Sequence, residues 1–193
     1  MDEKRASDRR EERKDEWIIV LDFLPQGHMR MKRTEPVAQV IGDKYFTLLE
    51  VIPREGIVLK PYDRVYIGEG KRNYVKYIRS RVKTDELSAV AKNELELVIE
   101  KVIDNDEKRF VDFYNKSKPI TTRMNQLELL PGVGQKHMWA IIEERKKKEF
   151  ESFDDIKKRI TLLPHPKKAI IKRIISEIDS KDRYHIFTIS MGK

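Results

Sequence analysis

The sequence predicts an α+β protein of two parts: a small N-terminal β-barrel over 16–83 and a C-terminal all-α region of paired helical hairpins over 119–180, with a helical connector over 84–118 between them. Three observations carry this prediction. From Trp17 to Val82, apolar residues recur with period two in short stretches that end in Pro or Gly turns. From Thr84 the apolar period becomes that of a helix. Two Leu-Leu-Pro turns, at 129–131 and 162–164, each separate a pair of helical stretches.

Residues 1–15 alternate in charge and hold almost nothing apolar, so they are expected to form a disordered charged tail. The first strand runs from Trp17 to Leu24 and ends at Pro25-Gln26-Gly27. After a loop carrying Arg30, Lys32 and Arg33, Val37 to Ile41 forms the second, closed by the Gly42-Asp43 turn. Tyr45 to Ile52 is the third, stopped by Pro53, and Val65 to Ile67 the fourth. Gly68-Glu69-Gly70 turns the chain into the fifth, Asn73 to Val82. Five short strands with turns between them suit a small closed barrel.

Thr84 is placed to cap a helix in which Leu87, Val90, Ala91, Leu95, Val98, Ile99 and Val102 recur on one side. Asp104-Asn105-Asp106 breaks it, and Phe110, Val111, Phe113 and Tyr114 continue on a second helix that ends before Pro119. Leu127 to Glu144 reads helix, Leu-Pro-Gly-Val-Gly, helix, and Ile156 to Ile178 repeats the pattern around Leu162-Leu163-Pro164-His165-Pro166. In this loose repeat Ala140, Ile141 and Ile142 correspond to Ala169, Ile170 and Ile171 as buried positions. Ser152 with Asp155 resembles a capping box at the start of the third hairpin helix. Within the C-terminal stretch 181–193, Tyr184 to Ile189 alternates like a strand and is expected on the barrel's edge.

The chain carries 41 Lys and Arg against 33 Asp and Glu, a net charge of +8, which favours a polyanionic partner. The excess lies in two blocks: 17–83 carries 13 basic and 7 acidic groups and 117–193 carries 17 and 10, whereas 84–116 carries 5 and 9. There is no cysteine, which excludes disulfides, thiolate metal sites and thiol nucleophiles. No apolar run is long enough to cross a bilayer and the N-terminus is charged, so a soluble cytoplasmic protein without a membrane partner is expected.

Leu130-Pro131-Gly132-Val133-Gly134-Gln135-Lys136 is the most informative stretch. Its glycines let the backbone turn and approach a ligand closely. The helix beginning after Gly134 aims free N–H groups outward, and Lys136 in its first turn adds a positive charge. The stretch resembles the helix-hairpin-helix motif, and 121–179 resembles the double helix-hairpin-helix domain of repair and recombination proteins. The resemblance implies that Gly132 and Gly134 give close approach to a backbone phosphate, that Val133 pins the two helices, and that Lys136 pairs with the phosphate. The second hairpin departs from the motif: His165-Pro166 replaces the glycines, and Pro166 has no N–H to donate. Lys167, Lys168, Lys172 and Arg173 still make its helix basic, and Arg145-Lys146-Lys147-Lys148 offers an extended phosphate track or a solvated helix end. The order of barrel and hairpins is similar to that of an uncharacterised archaeal family with an OB-like barrel, whose members are expected to bind nucleic acid.

In the barrel, 71–81 interleaves rings and cations: Lys71, Arg72, Tyr74, Lys76, Arg79 and Arg81. OB barrels stack bases on rings and follow phosphates with cations in this way, and Arg30, Lys32 and Arg33 lie in a loop position that contacts ligand in such folds. Strict alternation would put Tyr74, Lys76 and Ile78 on one face and Val75, Tyr77, Arg79 and Arg81 on the other.

No metal or cofactor is expected. The four histidines, at 28, 137, 165 and 185, lack ligand spacing, and Asp104, Asp106 and Glu107 lack the glycine of a calcium loop. Lys136 and Asp154 stand at a spacing similar to that of hairpin glycosylases, but helix capping accounts better for Asp154 in Ser152-Phe153-Asp154-Asp155. The sequence therefore favours a non-catalytic protein that binds RNA or DNA, with an adaptor role in a ribonucleoprotein or transcription complex as the alternative.

Overall fold

The computed structural model describes residues 14–31, 34–163, 165–179 and 182–189. The chain divides into two compact units, Met1–Val98 with Glu177–Lys193, and Ile99–Ser176.

In the first unit, β1 (Trp17–Leu24), β2 (Val37–Gly42), β3 (Leu48–Pro53), β4 (Arg64–Tyr66) and β5 (Val75–Arg81) form one sheet in the order β4-β1-β2-β3-β5. Every pairing is antiparallel. The sheet is curled as a half-barrel, with β4 and β5 at its edges, so the closed barrel expected from strand number does not form. Ile18, Val20, Ala38, Val40, Leu49 and Val51 pack on its inner face. A bulge between Val20 and Asp22 shifts the alternation of β1, so that Phe23 joins this core while Asp22 turns to the other face.

That other face carries a polar row. Asp22 lies opposite Gln39, and Gln39 opposite Glu50, across adjacent strands. Gln39 and Glu50 are both 1% exposed, because residues 84–88 cover them. The Ser88 hydroxyl donates to Asp22 (2.6 Å) and accepts from the amide of Ala91 (3.0 Å), so Ser88 rather than Thr84 caps α1 (Ala89–Asn105). Thr84 instead opens a 3-10 turn, Thr84–Glu86.

Two expectations at the ends of this unit are corrected. Asp15, grouped with the charged tail, is buried, and its carboxylate accepts the amides of Lys44 (3.0 Å), Tyr45 (2.7 Å) and Thr47 (3.2 Å). The rest of that tail, 1–13, lies outside the described residues. Tyr184 to Ile189 does not pair with either sheet edge. It bends around the buried carboxylate of Glu177, which accepts the amides of Ile186 (2.8 Å), Phe187 (2.9 Å) and Thr188 (3.0 Å). A side chain that satisfies three successive amides removes the need for a neighbouring strand.

The second unit holds the end of α1, then α2 (Glu107–Lys116), a two-stranded hairpin of β6 (Pro119–Thr121) and β7 (Met124–Asn125), α3 (Gln135–Lys147), α4 (Phe153–Arg159) and most of α5 (Pro166–Ile178). Tyr114 is fully buried and donates to the Pro166 carbonyl (3.0 Å), and burial pushes its phenol well above the ordinary range. Asn115 exchanges hydrogen bonds with the Phe150 carbonyl (2.9 Å) and amide (2.8 Å). Ser152 caps α4 by accepting the Asp155 amide (3.0 Å). The expected partner of that capping box is not made; Asp155 accepts from the amide of Glu151 instead (3.2 Å).

Arg159 of α4 closes the end of α3. Its guanidinium donates to the carbonyls of Glu144 (2.6 Å) and Lys148 (2.8 Å) and pairs with the Glu144 carboxylate (3.3 Å). Lys147 first, and Arg159 with it, hold the Glu144 carboxyl below its ordinary value of 4.5. A lowered folded-state value contributes stability that is present above pH 4.5 and is lost as pH falls through the folded value. Thermal melts from neutral pH down to about pH 3 are therefore expected to fall more steeply for the wild-type protein than for Glu144→Gln. Parallel curves would show that this clasp adds nothing.

Candidate nucleic-acid interface

The first hairpin is built from a short local hierarchy. Asn125 caps a 3-10 turn, Gln126–Leu129, by accepting the Leu127 amide (3.0 Å), and Glu128 returns the bond to the Asn125 amide (2.7 Å). This turn stands where an α-helix was expected, because Asn125 and Pro131 leave only five residues between them. The Val133 amide then donates to the Leu130 carbonyl (3.0 Å), which closes the bend. Gly132 holds φ +83°, the left-handed region that glycine enters without cost. Leu130 and Val133 are buried at 1% and 5%, so the bend is anchored from below.

Gly134 is the N-cap of α3, and its carbonyl accepts the Met138 amide (2.9 Å). No side chain caps this end and no acidic residue lies in the first turn. Gly134, Gln135 and Lys136 are exposed, and their amides have no protein hydrogen-bond acceptor among the described residues. The His137 ring donates from Nδ1 to the Gly132 carbonyl (3.2 Å). Outward N–H groups, the positive end of α3 and the Lys136 ammonium thus share one small surface.

The second hairpin differs in construction. Its left-handed residue is Leu162, φ +69° and 86% exposed, which stands before the buried Leu163 rather than after it. Pro166 opens α5 as its first residue, the position that tolerates a missing N–H. Of the four basic residues expected on this helix, Lys168 and Lys172 are exposed and Lys167 and Arg173 turn inward. Lys167 pairs with Glu100 (2.8 Å) and Asp104 (2.7 Å); burial opposes its charge, but these hydrogen bonds outweigh burial and hold its ammonium above the ordinary range. Arg173 is 5% exposed and donates to the Leu129 carbonyl (3.3 Å). Of 145–148, read as a phosphate track or a solvated helix end, Lys146, Lys147 and Lys148 are exposed. Arg145 turns inward onto the Tyr114 carbonyl (2.8 Å) and Ser117, Lys147 pairs with Glu144 (2.6 Å), and Lys148 with Glu151 (2.8 Å). Of the expected buried positions on α3, Ile141 is buried, whereas Ala140 and Ile142 are half-buried.

On the sheet unit, bulges at Glu50/Val51 and Ile52/Pro53 interrupt the pairing of β5 with β3, so the two faces assigned by strict alternation do not hold. Lys71, Tyr74, Lys76 and Arg81 are exposed. Arg79 is half-buried and bonded to Glu50, Arg72 donates to the Gly68 carbonyl (3.1 Å), and Arg30 pairs with Glu86 (3.3 Å). Lys32 and Arg33 lie outside the described residues.

Two features were missed in the sequence. One is the polar row Asp22-Gln39-Glu50, which is hidden because a bulge breaks its alternation. The other is Trp139 on α3, 58% exposed and opposite the buried Met138 and Ile141. Its helical spacing from Lys136 was the available signal.

Comparison with known proteins agrees over nearly the whole chain. A family model described as "Protein of unknown function (DUF655)" matches residues 14–189. The chain is 44% identical over 170 residues to the uncharacterized protein MJ0038 of Methanocaldococcus jannaschii, covering 87% of this chain and 77% of that one. It is also similar to the crystal structure of Af1531 from Archaeoglobus fulgidus, with 52% identity, a TM-score of 0.82, and coverage of 91% of this chain and all (100%) of that one.

Proposed function

The chain belongs to the DUF655 family of proteins of unknown function, and from the geometry of its first hairpin we propose that it is a non-catalytic nucleic-acid-binding protein. In this reading 119–180 is a double helix-hairpin-helix region, and its first hairpin holds a backbone phosphate through the amides at Gly134 to Lys136 and the Lys136 ammonium. The half-barrel acts as an OB-like unit that meets a single-stranded or looped segment with Lys71, Tyr74, Lys76 and Arg81. The observation that carries the proposal is the uncapped start of α3, exposed and free of acidic residues in its first turn. Ser88 and Ser152 cap the starts of α1 and α4, and the start of α2, which also lacks a side-chain cap, carries Glu107 in its first turn.

Gly134 makes a clean test. Its φ of −88° is open to any residue, and an added Cβ meets nothing within 4 Å. The weaker N-cap of alanine is offset by its smaller unfolded-state entropy, each of order 0.5–1 kcal/mol. Gly134→Ala with Lys136→Ala is therefore expected to move Tm by no more than about 2 °C. Affinity for an RNA or DNA oligonucleotide should fall about tenfold or more, with a shallower salt dependence by about one charge. Unchanged affinity, or wild-type binding with no salt dependence, overturns the proposal and points to a protein partner.

A further inference from the structure

The exposed ring of Trp139 names the kind of nucleic acid the hairpin suits, an inference that rests on the phosphate-binding reading above. On α3, Lys136, Trp139, Glu143 and Lys146 are all exposed, and their spacing puts them within about 80° of one another around the helix. Trp139 lies about 4.5 Å along the axis from Lys136, one turn in from the free amides. At 58% it is the most exposed aromatic side chain among the described residues. It takes no part in the core below, which α3 reaches through Met138 and Ile141.

Charge limits where a sugar-phosphate chain can go. The first turn of α3 is free of acid and carries Lys136, but one turn past Trp139 the exposed Glu143 faces the same way. A backbone held at the amides and continuing along the helix would meet that carboxylate. A backbone that leaves α3 at Trp139 avoids it, and the indole then faces the neighbouring nucleotide rather than the next phosphate. A paired base inside a duplex offers no open face to a ring beside its backbone, whereas an unpaired base does.

We infer that Trp139 stacks on an unpaired base next to the phosphate held by the hairpin. The ligand would then be a single strand or the unpaired side of a junction, not an uninterrupted duplex. In a Trp17→Phe background Trp139 is the remaining tryptophan of the two, and its fluorescence reports stacking directly. The probes are a single-stranded oligonucleotide, a blunt duplex of the same sequence, and that duplex with a short overhang, each as RNA and as DNA.

Quenching of Trp139 by the single strand and the overhang, but not by the blunt duplex, is the expected result. Trp139→Ala in the otherwise wild-type chain should weaken binding of those two probes about tenfold or more. It should change blunt-duplex affinity less than about twofold, and Trp139→Phe should recover most of the loss. Equal losses on all probes, or complex formation with an unaltered Trp139 signal, overturn the stacking role. If the Gly134/Lys136 variant loses binding while Trp139→Ala does not, the hairpin reading stands and this inference falls. If no probe binds the wild-type protein at low salt, both fall.

Discussion

Glu50→Ala is expected to destabilise the sheet unit by about 2–3 kcal/mol, below the range for a fully buried ion pair because the Arg79 partner is half-buried. Glu50 is 1% exposed and bonds to three side chains. Its carboxylate accepts from Arg79, from Gln39 Nε2 (3.1 Å) and from His28 Nε2 (2.8 Å). His28 in turn accepts the Arg30 amide at Nδ1 (3.3 Å), which fixes its tautomer with the proton on Nε2. Truncation takes one acceptor from the buried Gln39 amide and leaves the half-buried Arg79 guanidinium unpaired. The loop that carries Arg30 loses its anchor at the same time.

Urea unfolding followed by Trp17 fluorescence in a Trp139→Phe background reads this effect in the unit concerned. The double variant Glu50→Leu with Arg79→Met removes both charges and is expected to lose much less than Glu50→Ala alone. A single-variant loss under about 1 kcal/mol would mean that water reaches the row and that Glu50 is not committed to it.

Arg145→Ala is expected to cost the helical unit about 2–4 kcal/mol. The Arg145 guanidinium donates to the Tyr114 carbonyl (2.8 Å), the Ser117 hydroxyl (2.7 Å) and the Ser117 carbonyl (3.0 Å), and so caps the end of α2 from within α3. Charge-assisted bonds to a helix C-terminus are among the stronger single contributions. Ser117 is 4% exposed, so the acceptors left behind would lack water. Burial pulls Arg145 below the ordinary arginine range, yet the side chain stays charged at any working pH.

Arg145→Lys keeps the charge but not the planar fork, and should recover less than half of the loss. The measurement is denaturant unfolding followed by far-ultraviolet circular dichroism. A change within about 0.5 kcal/mol would return Arg145 to the role of a surface cation. Because the same helix carries Gly134, Lys136 and Trp139, this variant also separates support of the hairpin from contact with a ligand.

The legible parts of this protein were those whose cause is local. The strands Trp17–Leu24 and Val37–Gly42 follow from apolar runs bounded by Pro-Gln-Gly and Gly-Asp turns. The start of α3 after Gly134 follows from the Gly-Val-Gly bend, and the start of α4 from Ser152. The strand expected at Tyr184–Ile189 failed because alternation records a side-chain period and not a hydrogen-bonding partner; Glu177 supplied the partner instead. The faces of β5 failed for a related reason. A bulge inserts a residue and reverses the alternation beyond it, and nothing in Lys76 or Arg79 announces one.

By itself the sequence determined the α+β class, the five strands of the sheet and the glycine-bordered bend, since backbone preference and apolar period act over a few residues; the β6-β7 hairpin inside the region expected to be all-α was not legible. Only the tertiary structure decided which cations remain available to a partner. Arg79 is bonded to Glu50 across 29 residues of chain, Arg145 to Ser117 across 28, and Arg173 to Leu129 across 44. Lys136 and Lys76 are left at the surface. A charge reads the same in a sequence whether water or a buried carbonyl faces it, and the fold is what brings that carbonyl within reach.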